Sequence, residues 1–152
     1  MQVLSLPPLH PMSRLAGLIL RLGVGIVFIA HGWPKLQRGP ANVAGFLAQL
    51  NVPLPEITAW VVTLLELGGG ILLIIGLFTR VIALFMAVEM VLISFVVKAD
   101  IGLVAQGPQG VGWELELALG VAQLALVLIG PGMLALDNII GVEPKAVVAR
   151  RA

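Results

Sequence analysis

Three ionisable residues, Arg21, Glu66 and Glu89, lie deep inside long apolar stretches of the sequence. If those stretches cross a membrane as helices, a rise of about 1.5 Å per residue places the three side chains about 10 to 16 Å above one surface, in one layer. Arg21 can hold one carboxylate in a bidentate fork, and the other carboxylate is then shared, protonated or turned away. Two hypotheses stay open. Arg21 and Glu66 form a structural pair between two helices, with Glu89 neutral, or the three form a proton-titrating or polar ligand site.

A second polar layer is expected nearer the opposite surface, formed by His31 with Glu116 or Glu114. The helical rise places His31 and Glu116 at about 24 to 25 Å in a hydrocarbon core about 30 Å thick. A histidine beside a carboxylate titrates near neutral pH, and it can relay protons or hydrogen-bond to a quinone carbonyl. The alternative is an interfacial histidine that only satisfies a polar helix end.

Two charged residues are expected together at the cytoplasmic edge of the membrane. Arg80 begins the third apolar stretch, and Asp137 follows the fourth. We predict that they contact each other and fix the turn at 131–132 against the second loop. This pair is interpreted as structural, with a modest contribution to stability at headgroup level.

Metal chemistry is poorly supported by the sequence. Cysteine is absent, which excludes disulfides, thiolate metal sites and a cysteine nucleophile. His10 lies in a proline-rich tail, so His31 is the one imidazole inside an apolar stretch. Met86 and Met90 flank Glu89, but methionines at helical spacing are typical of a core or a lipid-facing surface rather than of copper. We therefore expect no metal site.

The composition of the chain, which is very rich in hydrophobic residues, indicates the kind of structure that must position these residues. The chain has 152 residues, of which 59% are hydrophobic and 11% are charged, against about 25% charged in an average soluble domain. The mean hydropathy is +1.08. Such a chain has too few polar side chains to make a water-exposed surface, so the natural solvent is lipid. The net charge is only +1 and the basic residues are scattered, so no nucleic-acid partner is expected.

Four apolar stretches are long enough to cross a membrane as helices, each about 20 residues long and bounded by proline or glycine. They predict an all-α integral membrane four-helix bundle, a single transmembrane domain over residues 1–152, with spans at about 14–33, 57–78, 80–97 and 113–130. A short amphipathic helix is predicted in the first outer loop from the helical spacing of Val43, Phe46, Leu47 and Leu50. Small residues predict close helix packing, at Gly17, Gly25, Gly68, Gly69, Gly70 and Gly76.

The orientation follows from the lysines and arginines near the span ends, which favour the cytoplasmic side. One side carries five of them and the other carries three, so both termini are predicted in the cytoplasm. The two sets are Arg14, Arg80, Lys145, Arg150 and Arg151 against Lys35, Arg38 and Lys98.

Three runs of the sequence, in this order and spacing, resemble the DoxX family. They are RLGVGIVFIAHGWPKL in the first span, ELGGGILLIIGLFTR across the second, and GPGMLALDNII at 130–140. The resemblance covers most of the chain and implies a small four-helix protein of the bacterial inner membrane, similar to the small subunit of an archaeal thiosulfate:quinone oxidoreductase. His31, Gly32 and Lys35 match the HGxxK arrangement of the family, which adds Lys35 to the candidate polar cluster.

Three functions fit these observations. The favoured interpretation is an accessory or scaffold subunit of a redox-associated membrane complex rather than a stand-alone enzyme. The alternatives are a quinone-interacting subunit of an oxidoreductase, with His31, Glu66 and Glu116 lining the site, and a small proton-coupled transporter or channel. No cofactor is expected to be built in, although a quinone could bind. The expected partners are the lipid bilayer and either another protein or a second copy of the chain.

Overall fold

The computed structural model describes residues 13–105 and 110–142, and the secondary structure of this part of the chain is entirely helical. The all-α prediction is therefore confirmed. Lys145, Arg150, Arg151 and His10, which entered the orientation and metal arguments, lie outside the described residues. The helices are α1 (Ser13–Arg38), α2 (Pro40–Gln49), α3 (Pro55–Ile75), α4 (Thr79–Leu92, continued by a π-helical turn Ile93–Val97), α5 (Glu114–Ile129) and α6 (Leu136–Ile140).

Three helices in the described part of the chain are long and apolar enough to cross a membrane: Arg14–Arg38, Pro55–Ile75 and Thr79–Val97. The fourth predicted crossing corresponds to α5, which has only 16 residues. At about 1.5 Å per residue it spans about 24 Å, short of a typical hydrocarbon core. The crossing by α5 therefore stays a prediction.

The first helix is longer than the sequence suggested, because Pro34 lies inside it and does not end it. Membrane helices tolerate an internal proline where neighbouring groups satisfy the freed carbonyl. The helix ends at Arg38, and Gly39 follows with a φ of 89°, which a side chain would disfavour. This extension keeps Lys35 on the same rigid helix as His31, one turn further along.

Close packing of α1 on α3 depends on glycine, as predicted. A Cβ built on Gly25 would lie 2.8 Å from the Gly70 carbonyl oxygen, and one built on Gly32 would lie 2.6 Å from the Leu67 backbone nitrogen. Neither gap admits a methyl group, so the two backbones touch directly. By contrast, a Cβ on Gly68 would meet nothing within 4 Å, so this glycine does not serve packing.

The bundle has two distinct ends, and its main core lies between them. The α2 end carries α2 and residues 98–105 and 110–113, and the turn end carries the α3–α4 turn and residues 130–142. The predicted amphipathic helix is α2, which buries Ala44 and Leu47 against Ala59 of α3. The methionines at 86 and 90 are core residues, together with Val24, Phe28, Leu73, Ala83 and Leu126.

Candidate ligand-binding site

A cavity of about 540 Å³ lies at the α2 end, among α1, α2, α3, the π-helical turn and α5. Its volume falls within the range of about 300–1,000 Å³ that is typical of small-molecule sites. Its wall is mostly apolar, with contributions such as Phe28, Phe46 and Leu119. The polar side chains on the wall are few, namely His31, Lys35, Arg38, Asn42, Glu66 and Glu116. An apolar chamber with a small number of polar groups suits a lipophilic molecule that carries a polar head.

The first ion pair on the cavity wall joins α1 to α3. Lys35 Nζ lies 2.5 Å from Glu66 Oε1. The lysine side chain is 29% exposed and the glutamate side chain only 4%, so the ammonium reaches inward from the end of α1 to a deep carboxylate. Glu66 Oε2 has no hydrogen-bond partner among the described residues. The sequence placed both residues in a polar cluster, and the structure brings them together.

A second ion pair, of which Glu116 lines the cavity, joins the end of the π-helical turn to the start of α5. Lys98 Nζ lies 2.7 Å from Glu116 Oε1 and also donates a hydrogen bond to the Gly112 carbonyl oxygen at 3.0 Å. This pair was missed, because Lys98 was counted only as an orientation charge. Its signal is present in the sequence: Lys98 ends one apolar stretch and Glu116 begins the next. In antiparallel neighbouring helices, such positions lie at the same height.

His31 is on the cavity wall but does not pair with either predicted carboxylate. Glu116 is held by Lys98, and Glu114 is exposed and is not among the cavity-lining residues. The Nδ1 atom of His31 lies 2.8 Å from the Val27 carbonyl oxygen of its own helix. A carbonyl only accepts hydrogen bonds, so Nδ1 is the donor and Nε2 is left for another partner. These contacts favour the hypothesis of a histidine that satisfies its own helix.

Arg21 lies outside this cluster, and the expected Arg21–Glu66 pair is wrong. Its Nη1 donates to the Leu73 and Ile74 carbonyl oxygens, both at 3.1 Å, and its Nη2 donates to the Met133 carbonyl oxygen at 2.7 Å. The last carbonyls of α3 carry the negative end of the helix dipole, so they attract a cation. Glu66 is about two turns away along α3, or about 11 Å.

Arg80 and Asp137 both lie at the turn end, as predicted, and both contact main-chain groups there. The Asp137 carboxylate accepts hydrogen bonds from the Phe78 and Thr79 N–H groups at 2.7 and 2.9 Å, which caps the N-terminus of α4. Arg80 Nη1 donates to the Leu128 carbonyl oxygen at 3.0 Å. The predicted direct contact between Arg80 and Asp137 stays a prediction.

Glu89 lies behind the cavity, on the buried face of α4, and is 5% exposed. Glu66 and Lys35 are close enough to act on it electrostatically. Neither of its carboxyl oxygens has a hydrogen-bond partner in the part of the chain that the structure describes. Lys35, Glu66 and Glu89 therefore form one polar group across α1, α3 and α4. Across residues 13–105 and 110–142, no three His, Asp or Glu side chains converge as metal ligands would.

Comparison with known proteins decides the family of this chain. The sequence model of the DoxX family matches residues 16–99, more than half of the chain, from α1 to just beyond the π-helical turn. The chain belongs to the DoxX family. The matched range of this DoxX protein includes Lys35, Glu66 and Glu89, whereas Glu116 lies beyond it.

The sequences of several curated proteins align with this DoxX protein over most of their length. The inner membrane protein YphA of Escherichia coli is 30% identical over 80% of this chain and 87% of its own. The inner membrane protein YqjF of the same organism is 31% identical over 81% of this chain and 90% of its own. A Bacillus subtilis protein named "Putative oxidoreductase CatD" is 31% identical over 79% of this chain and 83% of its own. No solved structure gives a significant match.

Proposed function

We propose that this DoxX protein is the quinone-binding membrane subunit of an oxidoreductase complex. The observation that carries the proposal is the cavity of about 540 Å³, whose apolar wall carries the Lys35–Glu66 ion pair and the carboxylate of Glu116. A quinone ring is flat and apolar, and it needs hydrogen-bond donors only at its two carbonyl oxygens. An ammonium group has three donors, so Lys35, which lies on the cavity wall, retains donor capacity beyond the carboxylate that it already contacts.

A role as a subunit is supported by the absence of cysteine-based redox groups from the chain. The sequence has no cysteine, so thiol redox chemistry and cysteine-ligated iron–sulfur clusters are not available within it. The electrons for quinone chemistry would then come from a partner protein that carries a redox centre. The printed name of one relative, CatD of Bacillus subtilis, refers to an oxidoreductase and supports the same context. The chain in this role is an accessory subunit that holds the quinone beside the partner.

We also propose an inner-membrane location with both termini in the cytoplasm, which puts the α2 end on the outer side. Two relatives carry the name inner membrane protein, which supports the location. Because the chain has no cysteine, one introduced thiol is a unique label. Gln49→Cys, at an exposed position of α2, should react with a membrane-impermeant reagent in intact cells, and Val142→Cys should react only after lysis. The reverse pattern would refute the orientation.

The function is tested by a substitution that fills the cavity, compared with a matched control substitution at a neighbouring position. Val62 lines the cavity, whereas its neighbour Val61 is 56% exposed and is not among the residues that line it. Val62→Trp puts an indole into the space for the quinone ring, and Val61→Trp adds the same group to the lipid-facing surface. The protein is purified from native membranes in mild detergent, and the quinone in its lipid extract is measured per protein.

Wild type and Val61→Trp should retain quinone, and Val62→Trp should lose most of it. Equal quinone content in the three proteins would remove the basis of the proposal. If none of the three proteins contains quinone but partner proteins still co-purify with each of them, the chain is an accessory subunit that does not bind quinone.

A further inference from the structure

Several buried polar atoms behind the cavity have no hydrogen-bond partner in the described part of the chain. They are both carboxyl oxygens of Glu89, Oε2 of Glu66 and the hydroxyl of Thr63, a residue with no exposed surface. Buried polar groups in proteins are almost always hydrogen-bonded. Ionised carboxylates offer only acceptors, and a proton on one of these two carboxyl groups provides a donor.

The charges around Glu89 favour one proton on this pair of carboxylates. From α1 comes Lys35, whose ammonium already lies 2.5 Å from Oε1 of Glu66. From α3 comes Glu66 itself, which acts on Glu89 electrostatically. One cation therefore faces two carboxylates. If both were ionised, one buried negative charge would lack a counter-ion, which a low-dielectric interior strongly disfavours.

The remaining helix that packs on α4 is α5, and it supplies no cation to Glu89. Its residue Gln123 is fully buried and uncharged. It lies on the face of α5 that meets α4, since a Cβ built on Gly120, one turn away, would lie 3.6 Å from Met90. The charged residue of α5 in this region, Glu116, is held by Lys98 at the α2 end. A neutral Glu89 is thus the consistent arrangement.

We propose that Glu89 stores a proton and exchanges it with the cavity through Glu66. Glu66 is on the cavity wall, whereas Glu89 is not, so Glu66 stands between the buried acid and the chamber. In the transfer, the O–H bond of Glu89 breaks and an O–H bond forms at Oε2 of Glu66. The negative charge moves from Glu66 to Glu89, and Lys35 remains protonated throughout. A proton-accepting ligand or water in the cavity then takes the proton from Glu66.

The stored proton is tested by infrared spectroscopy of the purified full-length protein at neutral pH. Wild type should show the C=O band of a buried protonated carboxylic acid, and the band should shift in D₂O. Glu89→Gln should remove this band, and Glu89→Asp, which keeps the acid, should move it. Glu114→Gln, at an exposed position, is the control and should leave it unchanged. Absence of the band from wild type, or its persistence at full intensity in Glu89→Gln, would refute the stored proton.

The route is tested by the rate at which the band shifts after transfer into D₂O. Val62→Trp plugs the cavity about one turn from Glu66, so exchange should slow by about an order of magnitude or more, because it then requires local opening. Val61→Trp should exchange like wild type. Equal rates in the two variants would refute exchange through the cavity. These results do not depend on bound quinone, so a failure of the proposed function and a failure of this proposal are distinguishable.

Discussion

Replacing Arg21 with methionine should destabilise the protein strongly, although the residue is far from the cavity. The guanidinium donates four hydrogen bonds of 2.7 to 3.3 Å to main-chain carbonyl oxygens, two at the end of α3 and two at residues 133 and 134. A hydrogen bond to a charged group contributes about 1.5–3 kcal/mol, and each buried carbonyl left unpaired costs about 1–3 kcal/mol. Part of this loss is recovered because a buried cation no longer has to be desolvated. The expected net effect of Arg21→Met is a loss of about 3–5 kcal/mol.

The assay is unfolding of the purified protein in mixed micelles, followed by circular dichroism of the helices. Total stabilities are typically about 5–15 kcal/mol, so the expected loss is a large fraction of the whole. Arg14→Met is the matched control, because Arg14 is exposed on the same helix, and its effect should stay within about 0.5 kcal/mol. Hydrogen exchange should also accelerate around residues 73–78. A loss below about 1 kcal/mol for Arg21→Met would refute the reasoning.

Substitution by alanine should have opposite effects on stability at Gly25 of α1 and at Gly68 of α3. Both effects are measured by the same unfolding assay. Gly25→Ala should lower stability by about 1–3 kcal/mol, because its Cβ would lie 2.8 Å from the Gly70 carbonyl oxygen and force α1 and α3 apart. Gly68→Ala should be neutral or raise stability by up to about 1 kcal/mol, because its Cβ meets nothing within 4 Å and alanine is the better helix former. Similar losses in both variants would show that these contacts do not hold the two helices together.

The helices and the heights of the buried acids could be predicted from the sequence, because both depend on local rules. Apolar length gives the helices, and counting residues from the span ends placed Glu66 and Glu89 in one layer. In the structure, Glu66 acts on Glu89 electrostatically. Counting was not sufficient for Arg21, whose contacts are the last carbonyls of α3, about two turns along that helix from Glu66.

The site could not be predicted in full because the ends of the helices were not known from the sequence. Pro34 was expected to end the first span, so Lys35 was placed in a loop, whereas the structure keeps it on α1 and within reach of Glu66. Long lysine side chains at helix ends can extend inward by several ångströms, which no count of residues reveals. The ion pair of Lys98 with Glu116 was not predicted, because Lys98 was used only as an orientation charge.

The position of each lysine explains which carboxyl group is neutralised by a cation and which by a proton. Lys35 and Lys98 both stand near the α2 end, and their side chains are 29% and 19% exposed, so their stems reach from the surface inward. They neutralise Glu66 and Glu116, the two glutamates on the cavity wall. Glu89 lies off the cavity wall, no lysine in the described residues is hydrogen-bonded to it, and a proton is the remaining group that can neutralise it. Of the three buried glutamates in the described residues, Glu89 is therefore the one whose charge can change without breaking a lysine–glutamate ion pair.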